Sequence, residues 1–376
     1  MGPVEELRLC LPARFRSLEP FNILVMRTPL LRFIALFFCT LGLLSSDLEA
    51  CTRVVYQGPN GNVMTARSMD WKTEIPANWW VFPRGMKRSG NAGPNSVEWT
   101  ALYGSVATSS WDLATSDGMN EKGLVGNLLW LAESQFPELG TATTGQRTLA
   151  VSLWLQYVLD QCATVEEAVR LFSKGDVAVI TSVIPGTSMV ATVHLSVSDA
   201  SGDNAIFEYI GGKLEIHHDR KYATMTNSPV FEEQMAINGY WKGIPGTVAL
   251  PGTNRAADRF VRASYYIQAI PQTDNTRVAL ASVFGVIRNC SVPLGISSET
   301  EPNISSTRWR TVADHRNLVY YFDNVLEPNV VWVDLKKLDF SPKAKPKKLA
   351  LEGPTRPSGE CSASFVPTAP FVFAGV

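Results

Sequence analysis

A chain of 376 residues, 45% hydrophobic and 18% charged, has the make-up of a globular protein and length enough to bury a core without metal or disulfide staples. Its 34 Lys and Arg balance 35 Asp and Glu with no basic stripe, which argues against nucleic-acid or anionic-membrane binding. The six cysteines are widely and irregularly spaced with no CxxC, and His194, His217, His218 and His315 show no ligand spacing, so neither a metal nor an organic cofactor is expected.

Residues 26–50 read as a secretory signal. Arg27 and Arg32 supply the positive start, Phe33 to Leu44 a short apolar core, and Ala50 a small residue before Cys51. The apolar run falls short of the roughly 20 residues that span a membrane, so export without stable membrane insertion is expected. The mature protein would then be secreted or periplasmic. Residues 1–25 fit no standard signal and read as an extension upstream of Met26. Leu48-Glu49-Ala50-Cys51 also resembles a lipoprotein box. A lipid-anchored, non-catalytic binding protein, its amine blocked at Cys51, is the alternative of a different class.

Cys51 to Gln57 alternates and is rich in β-branched residues, Gly58-Pro59-Asn60-Gly61 signals a turn, and Val63 to Asp70 reads as a second strand. A hairpin therefore starts at the cysteine. Further strands are expected over 79–82, 102–107 and 123–131. A helix follows over 148–162, and another over 165–172 capped by Thr164. Strands return over 177–183, 192–198, 205–210, 213–217 and 222–226, with a turn at Ser201-Gly202-Asp203. Helices over 256–269 and 276–288 precede strands over 309–314, 318–322 and 330–335. Residues 342–376 are rich in Pro and Lys and read as an exposed tail. The expected organisation is a leader over 1–50, one domain over 51–341 and that tail. The order of elements suits an α+β fold of two packed sheets with helices outside.

A nucleophilic amidase needs an activated nucleophile, a proton acceptor and donors for the oxyanion. A free α-amine has a reference pKa of about 7.7–8.0, near enough to neutrality to take a thiol proton. If cleavage leaves Cys51 first, nucleophile and base belong to one residue. Whether signal peptidase or the chain itself makes that cut is open in the sequence.

Cys51-Thr52 opening a hairpin, Arg67-Ser-Met-Asp70, Ser116-Asp-Gly-Met-Asn-Glu-Lys-Gly-Leu124, Thr226-Asn-Ser-Pro229 and Leu250-Pro-Gly252 leading to Arg259-Phe260 follow one another over most of residues 51–340. Together they resemble the choloylglycine hydrolase family of N-terminal-nucleophile hydrolases, which includes bile salt hydrolases and penicillin V acylases. The resemblance implies a four-layer αββα fold and cleavage of a linear acyl amide, a small molecule, through a thioester. It implies Cys51 as nucleophile and base, and Arg67 as the cation beside the thiolate. Asp70 would hold the α-amine, Asn227 would donate to the oxyanion, and Arg259 would lend electrostatic support. Three positions apart in one strand, Arg67 and Asp70 face opposite sides, so a bulge or the strand end is expected to bring both to the cysteine.

Bile salt hydrolases of Gram-positive gut bacteria commonly carry Asn where this chain has Trp130, and Trp71 follows Asp70. If the second oxyanion donor is a main-chain N–H at position 130, the change leaves it available; if it is a side-chain amide, the change removes it. The Trp pair resembles the Gram-negative branch, with its exported penicillin V acylases and enzymes that cleave N-acyl homoserine lactones. Trp71 and Trp130 are expected to wall an acyl pocket, and conjugated bile salt hydrolysis is the alternative activity. The family often forms tetramers, so a homotetramer is the assembly the resemblance implies.

Overall fold

The computed structural model describes residues 51–140, 145–244, 249–296, 305–353 and 356–376; the expected leader lies outside the described residues. The strands run β1 Cys51–Gln57, β2 Val63–Asp70, β3 Asn78–Phe82, β4 Lys87–Ser89, β5 Glu98–Thr100, β6 Ser105–Ser110, β7 Ala114–Asn120, β8 Val125–Trp130 and β9 Arg147–Ala150. Helices α1 Trp154–Gln161 and α2 Val165–Ser173 follow, then β10 Val177–Ile180, β11 Val193–Ser198, β12 Asn204–Ile210, β13 Lys213–His218 and β14 Thr224–Thr226. After α3 Phe231–Lys242, α4 Ala256–Ala269 and α5 Thr276–Asn289 come β15 Thr307–Asp314, β16 Val319–Asn324, β17 Val330–Asp334, β18 Lys347–Ala350, β19 Gly359–Glu360 and β20 Val366–Pro367.

Two large sheets carry the fold. One has the order β14-β1-β2-β15-β16-β17-β19 and the other β13-β12-β11-β8-β7-β6-β3-β18-β20. Met69, Trp309 and Phe322 of the first meet Trp79, Val106 and Leu129 of the second in a central core. Val54, Met64 and Ala66 on the other face of the first sheet pack on Ala263, Ile267 and Val283 of α4 and α5. Leu128, Leu195 and Phe207 of the second sheet pack on Leu155, Val158 and Phe172 of α1 and α2. Three cores between four layers make the αββα sandwich, with each sheet buried on both faces. No helix among the described residues is long and apolar enough to cross a membrane.

The hairpin β1–β2 and helix α4 keep the boundaries expected from the sequence, and Thr164 caps α2 by accepting from Glu167 N at 3.2 Å. Elsewhere the structure corrects the reading. Residues 147–150 are a strand parallel to β10, with the helix starting only at Trp154. Val151 to Leu153 form a short 3-10 turn that joins the strand to the helix, and the pairing of 147–150 with β10 prevails over the helical spacing that follows. The segment 342–376 is no exposed tail. β18 pairs with β3 inside the second sheet, and Phe371 and Phe373 are buried against Trp80 and Phe82. Its prolines and lysines hide two aromatic anchors.

Candidate active site

In β1, Cys51 and Arg53 point toward the second sheet while Thr52 and Val54 point toward the helices; in β2, Arg67 and Met69 share the inner face and Ser68 and Asp70 the outer one. Cys51 pairs with Met69, and Thr52 pairs with Thr226 of β14, so Asn227 arrives beside the Cys51 nitrogen. Arg67 Nη2 lies 3.7 Å from Cys51 Sγ and donates to Leu128 O at 3.0 Å. Its guanidinium also lies 4.5 Å from the centre of the Trp309 ring. The cation is thus fixed next to the sulfur in a fully buried setting.

The backbone of Cys51 is held from the opposite side of the sheet. Arg259, in the first turn of α4, donates to Cys51 O at 2.6 Å and to Asn227 Oδ1 at 3.1 Å. Asn227 Oδ1 also accepts from Cys51 N, and Asn227 Nδ2 donates to Trp130 O at 2.7 Å. A carboxamide nitrogen carries two N–H groups, so one remains for an oxyanion. Trp130 thereby enters the polar site through its carbonyl oxygen.

Asp70 accepts from Thr307 Oγ1 at 2.5 Å, and its Oδ2 stands 3.6 Å from Arg259 Nη1. That Oδ2 has no hydrogen-bond partner, and the expected bond from Cys51 N to Asp70 is not formed in this chain, where Asn227 takes it instead. Burial pushes the Asp70 carboxyl up to about 6, against the opposing pull of Arg259 and the Thr307 hydroxyl. The pairing of β15 with β2 shifts register between Thr307 and Trp309, which sets Thr307 opposite Asp70. The irregularity lies in the partner strand and serves Asp70. Arg67 needs none, because the two side chains approach one residue from two faces.

Two further residues were not singled out from the sequence. Asp117, within the Ser116–Leu124 motif, is fully buried; its Oδ2 stands 3.7 Å from Arg67 Nη1 and accepts from Asn127 Nδ2 at 2.8 Å. It opposes the Arg67 charge from the second sheet, and its place in the motif was the available signal. Gln234 of α3 accepts from Thr226 Oγ1 at 3.1 Å and donates to Asn227 O and Pro229 O, fixing the strand end that presents Asn227. No motif marks it, and α3 itself was unread: Asn238-Gly239 inside it looks like a turn.

Cys51, Arg67 and Met69 form part of the lining of a cleft whose empty volume, solvent at its mouth included, is about 820 Å³. Trp71 and Trp130 line it edge to face at 5.6 Å, and Trp111 adds a third ring 5.5 Å from Trp71. Trp111 and Asp112 both adopt left-handed backbone (φ 53° and 52°) in the β6–β7 turn. Asp112 accepts from Trp80 Nε1 at 2.9 Å, Asn78 Nδ2 at 3.0 Å, Ser109 Oγ at 2.6 Å and Lys348 Nζ at 2.5 Å, which holds the turn over the cleft. The cleft is chiefly apolar, and the polar atoms of its lining residues that are buried without a hydrogen-bond partner are Arg67 Nε and Nη1, Thr115 Oγ1 and Trp130 Nε1.

Comparison with known proteins places this geometry. The family model "Linear amide C-N hydrolases, choloylglycine hydrolase family" matches residues 51–347. Penicillin V acylase of Pectobacterium atrosepticum is 48% identical over 367 residues, covering 91% of this chain and 96% of the relative. The solved penicillin V acylase of Agrobacterium tumefaciens superposes with a TM-score of 0.81 at 56% identity, covering 87% of this chain and 100% of that one. A mutant conjugated bile acid hydrolase of Clostridium perfringens shares the fold, with a TM-score of 0.68 at 20% identity over 80% of this chain and 96% of its own.

Proposed function

The chain belongs to the choloylglycine hydrolase family and is a linear amide C–N hydrolase; from that premise we propose that it works through Cys51 as its first mature residue and cleaves amides of aryloxyacetyl or long alkyl acids. The observation that carries this reading is the thiol of Cys51 beside Arg67 on the lining of an apolar cleft with three tryptophans. In the full-length chain the Cys51 nitrogen is an amide with no basic lone pair. Cutting the Ala50–Cys51 bond frees an amine that can take the Sγ proton.

The thiolate then attacks the substrate carbonyl carbon, and Asn227 Nδ2 donates its remaining N–H to the oxyanion. The C–N bond breaks as the departing nitrogen takes the proton from the α-amine, leaving a thioester. Water, deprotonated by the same amine, attacks the thioester, and the acid leaves with Sγ regenerated. The freed amine also brings hydrogens that suit the unpartnered Asp70 Oδ2. Export through the leader is part of this reading. The family match beginning at Cys51 supports a mature chain that starts at that residue.

Penicillin V is a natural trial substrate, since the two similar acylases bear its name. Long-chain N-acyl homoserine lactones suit the same cleft, whereas a steroid acid needs a wider groove. The buried Trp130 Nε1 adds a finer expectation, because a phenoxyacetyl group offers it an ether oxygen. The test is kcat/KM on penicillin V, its analogue with CH2 in place of that oxygen, dodecanoyl homoserine lactone and glycocholate. We expect penicillin V to exceed the analogue by roughly tenfold, the worth of one hydrogen bond to a neutral donor, and Trp130→Phe to erase the gap. A preference for glycocholate would overturn the substrate class, and equal rates for the first two would remove Trp130 Nε1 from recognition.

A further inference from the structure

We propose that residues 371–376 form a strap that closes one wall of the acyl cleft and sets the length of acyl chain it accepts, with Ala374 as the residue that reads chain length. This rests on the reading of the cleft as the acyl site. Ala374 lines the cleft together with Leu113, Ser152 and Ser182, which come from three separate parts of the chain. The strap binds all three. Ala374 N donates to Leu113 O at 2.9 Å, Ser152 Oγ donates to Ala374 O at 2.5 Å, and Ser182 Oγ donates to Gly375 O at 3.3 Å.

The strap is itself anchored on both sides of Ala374. Phe371 packs edge-on to Trp80 at 4.8 Å, and Phe373 contacts Phe371 at 4.4 Å. Beyond Ala374, Val376 N donates to Asn91 O at 2.9 Å. Phe371 and Phe373 are buried in the core, whereas Val372 between them is 76% exposed. The strap therefore cannot slide by one residue without burying Val372 in place of an aromatic ring. A small residue fixed at a wall in this way leaves room that a larger side chain would fill.

Each methylene buried in an apolar cleft is worth about 0.8 kcal/mol, or roughly fourfold in kcat/KM. A phenyl group at position 374 displaces several methylenes of a long chain and few of a short one. The test uses the mature enzyme with N-acyl p-nitroanilides from butanoyl to dodecanoyl. In parallel, the free acids of the same lengths are titrated into the Cys51→Ala protein. With Ala374→Phe we expect the dodecanoyl-to-butanoyl ratio to fall by roughly tenfold or more in both kcat/KM and acid affinity. Val372→Ser, on the same strap but exposed and outside the cleft lining, should leave both ratios where they were. An unchanged ratio in a folded Ala374→Phe protein, or an equal fall in Val372→Ser, overturns the proposal. Turnover that survives Cys51→Ala overturns the nucleophile instead, and the acid titration still decides the strap.

Discussion

Arg67 and Arg259 do different work around Cys51 because they reach it from different faces of one sheet. Arg67 meets the sulfur from within the sandwich, with Asp117 as its counter-charge, while Arg259 grips the carbonyl from the helical side together with Asp70. Asp70 is the residue whose charge the proposed cleavage before Cys51 would change. Its folded value of about 6 lies above the unfolded reference of about 3.9, so the folded chain binds this proton more tightly. The stability this contributes is fully present below about pH 4 and is lost as pH rises through about 6, on the order of 3 kcal/mol. Asp70→Asn cannot ionise and should remove that slope from the uncleaved chain. In the mature protein the Cys51 ammonium would favour ionised Asp70 and shrink the slope. Urea unfolding of both forms at about pH 4 and about pH 8 measures it, with the variant as reference. A difference between wild type and variant that stays flat with pH in the uncleaved chain would show that Asp70 is not held as described. These residues were legible as types in motifs, and the opposite facing of Arg67 and Asp70 followed from their spacing, but that each face serves Cys51 from its own side came only from the pairing of β2 with its neighbours.

Among the elements, the β1–β2 hairpin and α4 could be read from pattern because their apolar spacing and turn residues agree with their burial. β7 could not, since Ala-Thr-Ser-Asp-Gly-Met-Asn is polar and contains a turn-like Asp-Gly. It is buried within the second sheet because partners such as Arg67 and Tyr320 of the first meet its polar groups. The β6–β7 turn was also unread, so Trp111 was missed beside Trp71 and Trp130. That turn depends on Asp112, whose four donors come from three segments of the chain. Asp112→Ala leaves those donors unpaired and should cost about 1–3 kcal/mol in stability, read by urea unfolding. With its turn loosened, Trp111 should cease to hold the acyl group. KM for penicillin V should then rise several-fold with kcat largely kept, since uniform binding rather than transition-state binding is lost. A fall in kcat at constant KM would place the turn in the chemical step instead.

At the scale of the molecule, four layers bring distant segments to one cysteine: Arg67 and Asp70 from β2, Asn227 after β14, Arg259 from α4 and Ala374 near the last residue. The layered α+β class followed from the order of elements and the αββα form from the motif resemblance, since each sheet is apolar on both faces. The strap did not follow, because two phenylalanines in a Pro- and Lys-rich stretch give no periodic signal. The proposed mechanism makes one requirement of this geometry, that Cys51 carry a free amine and take the acyl group on its sulfur. Mature enzyme mixed with penicillin V, quenched in acid within the first turnovers, digested and weighed by mass spectrometry tests it directly. The account predicts an N-terminal peptide that begins at Cys51 and carries one phenoxyacetyl group, lost on treatment with hydroxylamine as a thioester should be. An acyl group on any other residue, a chain that begins elsewhere, or a lipidated Cys51 would contradict it.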